Sequence, residues 1–171
     1  PGQTVVEISP GSGYWTEILA PYALTTDGVY VAGVADLDDP ALSDGARKGR
    51  EAFAAKYDDA AVFGEIAYAG FGAASKPLGE PGSADIVLTA RNIHNWMWRD
   101  GMLDKALADF YAVLKPGGVL AVEEHRSDPR PQVEDARDGY VATAVVVAAA
   151  EKAGFELAES SEINANPKDT K

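Results

Sequence analysis

The sequence predicts a doubly wound α/β fold, a mostly parallel sheet with helices on both faces. Three observations carry that expectation. Short apolar runs alternate with longer segments of helical periodicity along the chain. Several of the short runs are apolar at consecutive positions, as in strands buried on both faces. A glycine-rich turn joins the first run to the first helical segment, and sheets of this class meet their ligands at such turns.

Residues 4–8 are a β-branched run and read as a buried strand. Ser9-Pro10-Gly11-Ser12-Gly13 is a tight turn. Residues 14–22 place Trp15, Ile18, Leu19 and Tyr22 at helical spacing, the expected buried face. After Thr26-Asp27-Gly28 a second strand spans 29–34, followed by the acidic stretch 36–39. Ser43 caps a helix running to about Tyr57. A third strand is expected at 61–66, then a loop over 69–83 and a fourth strand at 84–89. Asp100 caps a helix that Lys115-Pro116-Gly117-Gly118 terminates after Leu114. A fifth strand follows at 119–122. Residues 133–153 read as a helix, apolar on most faces over 141–150 and so expected to be well buried. Gly154 ends it, and a sixth strand is expected at 155–159. No repeat, linker or second domain is visible, so residues 1–171 are expected to form a single domain.

The chain has 171 residues, 46% hydrophobic and 25% charged, which are globular values that exclude a disordered chain. Its formal net charge of −12 makes nucleic acid a poor partner. Arg47, Lys48 and Arg50 form the one tight basic group and read as a solvated helix face. With no cysteine, disulfides, zinc–thiolate sites and a cysteine nucleophile are excluded. Both cytoplasm and periplasm fit that composition. No apolar run approaches the roughly 20 residues of a membrane span. Pro1-Gly2 leads straight into a strand, so the chain is expected to be truncated at both ends.

The turn carries the strongest chemical signal. Glycines let backbone pass close to a ligand, and the helix start supplies N–H groups and a positive dipole end. Ser9, Pro10, Gly11, Ser12 and Gly13 are therefore candidates to hold a nucleoside bearing a carboxylate or phosphate. The dinucleotide fingerprint G-x-G-x-x-G/A fails at its third small position, where Thr16 stands.

The turn instead resembles the first motif of class I S-adenosylmethionine-dependent methyltransferases, mapping as Glu7-x-Ser9-x-Gly11-x-Gly13 with Ser9 in place of the usual first glycine. Ala84-Asp85-Ile86-Val87-Leu88 is similar to that family's fourth-strand motif. Leu114-Lys115-Pro116-Gly117-Gly118 resembles the turn before its fifth strand, and Ala153-Gly154-Phe155 the start of its sixth. The stretches GSGYWTEILAPY, RNIHNW and EEHR are similar to a group of predicted bacterial methyltransferases of unassigned substrate. The resemblance implies a Rossmann-like methyltransferase fold, S-adenosylmethionine as cofactor and methyl transfer to an acceptor, expected to be a small molecule. It implies a place for Glu7 near the methionine end of the cofactor; the other reading of Glu7 is an acid that satisfies loop N–H groups. An acid at the end of the second strand should accept from the ribose hydroxyls. Counting points to Gly33 or Val34, so Asp36 is the candidate and Asp38 the fallback, against a merely solvated acidic loop. Glu65, at the end of the expected third strand, is placed near the adenine edge. The helix that precedes the family's first strand and its seventh strand are not visible. Two other readings stand beside this one: a non-catalytic S-adenosylmethionine-binding module, and a nicotinamide-dependent oxidoreductase.

Methyl transfer needs alignment of the acceptor and exclusion of water, and for an oxygen or nitrogen acceptor a base helps. The segment after the fourth strand, Arg91-Asn92-Ile93-His94-Asn95-Trp96-Met97-Trp98, is dense in suitable groups. His94 is the candidate base, Arg91 a clamp for an anionic group of substrate or cofactor, and Asn92 a further catalytic candidate. Asn92 and His94 also suit loop-tying hydrogen bonds, and Trp96 and Trp98 either wall a pocket or pack a core. Glu124, His94 and His125 match a known metal-ligand set, but nothing in their spacing demands an ion and no metal is expected. Arg126 and Asp128 read as a surface pair.

Overall fold

The β-branched run Thr4–Ile8 forms strand β1, and its last three residues are buried. The computed structural model, described for residues 1–169, continues with α1 (Thr16–Thr25), β2 (Val29–Val34), α2 (Asp44–Lys56), α3 (Ala60–Phe63), β3 (Ala67–Gly70) and β4 (Ala84–Ala90). Then follow α4 (Ile93–Met97), α5 (Met102–Val113), β5 (Leu114–Glu123), a 3-10 turn at Glu134–Ala136 and α6 (Thr143–Ala153).

The five strands form one sheet in the order β3-β2-β1-β4-β5. β1 pairs in parallel with β2, Thr4 opposite Val29, and with β4, Val5 opposite Ile86. β2 pairs in parallel with β3, Val31 opposite Ala67. The chain builds outward from β1 through β2 to β3, then returns to add β4 on the other side of β1. That reversal is the switch point of a doubly wound sheet, and the glycine turn leaves the carboxyl end of β1 beside it.

By contacts the chain sorts into two compact units. One holds Pro1–Ala90 with Ala112–Val122, and the other Arg91–Tyr111 with the chain from Glu123 onward. The first contains the sheet. Alternate β2 residues Tyr30, Ala32 and Val34 pack with Ala20 and Ala23 of α1 and with Phe53 and Tyr57. The amino ends of the strands are pinned by Asp85: its carboxylate accepts from the Thr4 N–H at 2.8 Å and from Lys115 Nζ at 2.8 Å. In the second unit α5 buries Met102, Ala106, Leu107 and Phe110, at helical spacing, and Trp96 of α4 packs on Phe110 with ring centroids 5.7 Å apart.

Several expectations are corrected. α1 buries Thr16, Ala20 and Ala23, while Ile18 and Tyr22 are 46% and 58% exposed; small side chains let the helix lie close to the sheet, and the bulky ones turn outward. The expected strand 61–66 is instead the helical turn α3 followed by β3. Asp59 caps that turn, its carboxylate accepting from the Ala61 N–H at 3.0 Å, and Gly64 ends it. β5 begins at Leu114, four residues before the expected turn ends. Pro116 lies within it, which is tolerated because β5 is an edge strand and needs no N–H there. The expected helix 133–153 is a 3-10 turn and then α6, and no residue of α6 is fully buried. Among the described residues no strand follows β5. Residues 155–159 are irregular, so α6 has no sixth strand to pack upon. Arg126 pairs with Glu162 at 2.5 and 2.7 Å rather than with Asp128.

Ser43 caps α2 as expected, its Oγ accepting from the Ala46 N–H at 3.2 Å. Ser43→Ala should cost about 1 kcal/mol, read as a lower urea midpoint at unchanged slope.

Candidate functional site

The glycine turn hangs between two anchors. The first is Glu7, only 3% exposed. Its Oε2 accepts from Thr16 Oγ1 at 2.9 Å and from the Tyr30 hydroxyl at 2.5 Å, and the two hydroxyl oxygens lie 2.9 Å apart. Both hydroxyls can donate to that one oxygen, and either could instead donate across the contact between them. Burial pushes the Glu7 carboxyl above the usual glutamate range, outweighing the two hydrogen bonds that pull it down. Burial, then the neighbouring carboxylate, push the Tyr30 hydroxyl far up.

The second anchor is the end of α2. Tyr57 Oη lies 3.3 Å from the carbonyl oxygens of both Ser12 and Gly13 and 3.2 Å from Glu17 Oε1. Lys56 Nζ donates to the Ser12 carbonyl at 3.0 Å and to Glu17 Oε1 at 2.7 Å. Gly13, at φ +92°, has no room for a side chain: a Cβ there would sit 1.8 Å from the Tyr57 hydroxyl. Gly11, at φ +59°, faces open space instead. Ser9 holds φ +52°, a conformation that costs a non-glycine residue roughly 1–2 kcal/mol. The turn closes on itself through the Gly13 N–H to the Pro10 carbonyl at 2.9 Å. The N–H groups of Gly11, Ser12 and Tyr14 have no backbone acceptor among the described residues. These donors lie in the turn ahead of α1, beside the open space at Gly11, and backbone N–H groups in a turn suit an anionic group such as a carboxylate.

Asp36 follows β2 at its carboxyl end, accepts from the Asp38 N–H at 3.0 Å and lies over the bare α-carbon of Gly70. Asp36 and Asp38 line a hollow of about 420 Å³ with Tyr68, Pro77 and Leu78. Glu65 precedes β3 rather than ending it, so it stands at the amino end of that strand and not at the carboxyl end expected. Arg47 donates to the Leu37 carbonyl, and Arg50 stacks on Tyr68, 3.7 Å from the ring centroid.

The other sequence-predicted residues belong to the second unit. Arg91 holds φ +58° and donates its N–H to the Glu123 carbonyl at 2.8 Å. Asn92 is the N-cap of α4 without a side-chain cap bond. His94 Nδ1 lies 2.9 Å from Glu124 Oε1, and both side chains are largely buried, 14% and 7% exposed. Trp96 is core at 4% exposure, while Trp98, 42% exposed, stands with its ring 6.2 Å from that of His94. The His125 ring is 6.1 Å from His94. Among the described residues no group of three or more side chains is arranged to hold a metal ion. None of Thr16, Tyr30, Lys56 and Tyr57 was singled out from the sequence as supporting the turn, and Glu124 was weighed only as a metal ligand.

Because Glu7 is protonated more readily in the folded protein, its contribution to stability is full below the ordinary value of 4.5 and is lost as pH rises through the raised value. Glu7→Gln should flatten the fall in stability that sets in above pH 4.5, read from urea midpoints across a pH series. Gly13→Ala must displace Tyr57 and should cost about 2–3 kcal/mol by the same measurement.

No protein-family model matches the sequence, and no curated protein matches it. Solved structures do share the fold. An arsenic(III) S-adenosylmethionine methyltransferase from Chlamydomonas reinhardtii superposes with a TM-score of 0.60 at 16% identity over 90% of this chain and 52% of its own. The CurJ carbon methyltransferase gives 0.63 at 15% over 94% and 44%. The antibiotic-resistance methyltransferase Kmr gives 0.54 at 20% over 94% and 81%. The chain thus spans about half the length of the first two, and it has their Rossmann-like sheet with flanking helices.

Proposed function

We propose that this chain binds S-adenosylmethionine at the glycine turn and transfers its methyl group to a small-molecule acceptor. The observation that carries the reading is the turn itself, at the switch point of the sheet, where the N–H groups of Gly11, Ser12 and Tyr14 have no backbone acceptor among the described residues and the space beside Gly11 is open. The neighbours named above, which are methyltransferases by description, support the same reaction class. In this assignment Ser9, Pro10, Gly11, Ser12 and Gly13 form the cradle, whose N–H groups hold the amino-acid end of the ligand. Glu7 keeps the cradle in place from beneath through Thr16. Asp36, with Asp38 beside it, takes the ribose hydroxyls. Bound there, the cofactor supplies an activated methyl group on a sulfonium.

The acceptor chemistry is assigned to the segment that follows β4. His94 receives the acceptor's proton, Asn92 orients the acceptor, and Arg91 holds an anionic group of substrate or cofactor. The net charge of −12 favours a small molecule over a nucleic acid as acceptor. No helix among the described residues is long and apolar enough to cross a membrane.

Isothermal titration with S-adenosylhomocysteine, run beside NAD, tests the cofactor. Saturable binding of the first alone is expected; binding of NAD alone would overturn the reading in favour of an oxidoreductase. His94→Ala should keep that binding and lower methyl transfer about 10²–10⁴-fold. Tight binding with no transfer to any acceptor in a broad screen would instead mark a non-catalytic binding module.

A further inference from the structure

Two neighbouring residues at the end of α2 hold the carbonyl side of the glycine turn. The buried Tyr57 ring is clamped between Phe53 and Phe63, with centroids 4.8 and 5.0 Å away, which fixes where its hydroxyl sits. From there it reaches the Ser12 and Gly13 carbonyls, each at 3.3 Å. Its single proton serves one of them at a time. Lys56 meets the remaining need: Nζ donates to the Ser12 carbonyl at 3.0 Å, and its bond to Glu17 Oε1 at 2.7 Å ties it to the first turn of α1. A peptide group is planar and trans, so its C=O and N–H point in opposite directions. The Ser12 carbonyl is drawn to α2, and the Gly13 N–H of the same peptide turns the other way, to the Pro10 carbonyl at 2.9 Å. The Gly13 carbonyl is held by Tyr57 and by the Glu17 N–H at 3.0 Å. The Tyr14 N–H of that peptide therefore faces away from Tyr57, where it meets no backbone acceptor among the described residues.

We propose that Lys56 and Tyr57 are positioning residues that make the turn selective for a carboxylate: by holding the Ser12 and Gly13 carbonyls they present N–H groups, and not carbonyl oxygens, to the amino-acid end of an adenosyl ligand. The proposal rests on the cofactor reading above. Each peptide carries a donor on one edge and an acceptor on the other, so a turn free to rotate its peptides offers either. A carbonyl turned toward the ligand repels a carboxylate and suits an ammonium instead. Anchoring the two carbonyls on α2 removes that alternative before the ligand arrives. The Lys56 charge acts in the same direction, because an ammonium on the Ser12 carbonyl polarises its peptide and strengthens the N–H opposite. Gly13 and Tyr57 are then a matched pair. A Cβ at Gly13 would sit 1.8 Å from the Tyr57 hydroxyl, so this glycine is required by the residue that orients the turn. Neither α2 residue needs to touch the ligand to set its selectivity.

Isothermal titration with S-adenosylhomocysteine and with its decarboxylated analogue, which lacks only the carboxylate, reads the selectivity directly. The wild type should prefer the first by about 10-fold or more. Tyr57→Phe keeps the ring beside Gly13 and removes only the hydroxyl. It should lose about 10-fold in affinity for S-adenosylhomocysteine and stay within about twofold for the analogue, so that the preference largely disappears. Lys56→Met, at a half-exposed position, should act in the same way without disturbing the core. Lys56→Arg still reaches both the carbonyl and Glu17 and should recover the preference to within about threefold. Equal weakening of both ligands is what a merely structural loosening of the turn would give, and it would overturn the proposal while leaving the cofactor reading in place. A preference unchanged in both Tyr57→Phe and Lys56→Met would do the same, as would a wild type that binds the two ligands equally. A wild type that binds neither ligand would overturn the cofactor reading, and this proposal with it.

Discussion

A carboxyl group taken out of water costs several kcal/mol unless its oxygens find donors. At the end of β1 that cost is offset by two hydroxyls, from the first residue of α1 and from β2, which close on Glu7. The triangle ties three consecutive elements together at one point. The glycine turn has no freedom to choose its path, because both its ends are fixed: β1 delivers Glu7, and α1 must begin with Thr16 over it. Tyr57 then fills the space that any side chain at Gly13 would need. The turn is thus held to one path by its own neighbours, and a ligand that met it would spend little binding energy in ordering it. Holding Ser9 in the left-handed region becomes affordable under this constraint, since neighbours on both sides over-determine the turn.

The second unit applies the same device to a different end. Glu124 is also a buried acid satisfied by donors, but its donors are two backbone N–H groups and one imidazole. Where Glu7 uses hydroxyls that can share a proton with it, Glu124 uses groups that can only give. One arrangement fixes a loop, and the other fixes the orientation of an imidazole ring.

Much of the fold was legible in the sequence, and the failures have local causes. β1, β2 and β4 are β-branched or apolar but for Glu7 and Asp85, so their signal survives without context. Residues 60–63 are equally apolar but carry a cap at Asp59 and a stop at Gly64, and those signals outrank the apolar run. The helical spacing of α1 is legible but its buried face is not, because Ala20 and Ala23 look unremarkable beside Ile18 and Tyr22 until the sheet they must approach is known. The burial expected for α6 depended on a sixth strand that does not form among the described residues. At the site, the turn was visible because glycines are, whereas Lys56 and Tyr57 reach it from more than forty positions away. No spacing rule connects residues so distant. Glu124 lies next to His125 in sequence, but its bond to His94 spans thirty positions and depends on which way its side chain points.

The central claim is that the turn is a preformed cradle whose open N–H groups meet the ligand. Amide NMR of the labelled protein titrated with S-adenosylhomocysteine tests it most directly. The account predicts that the amide signals of Gly11, Ser12 and Tyr14 shift saturably and strongly, while those of Glu7, Thr16 and Tyr57 barely move because their network is already in place. Saturable shifts that leave Gly11, Ser12 and Tyr14 unmoved, or a titration that reorganises Glu7 and Tyr57, would contradict it.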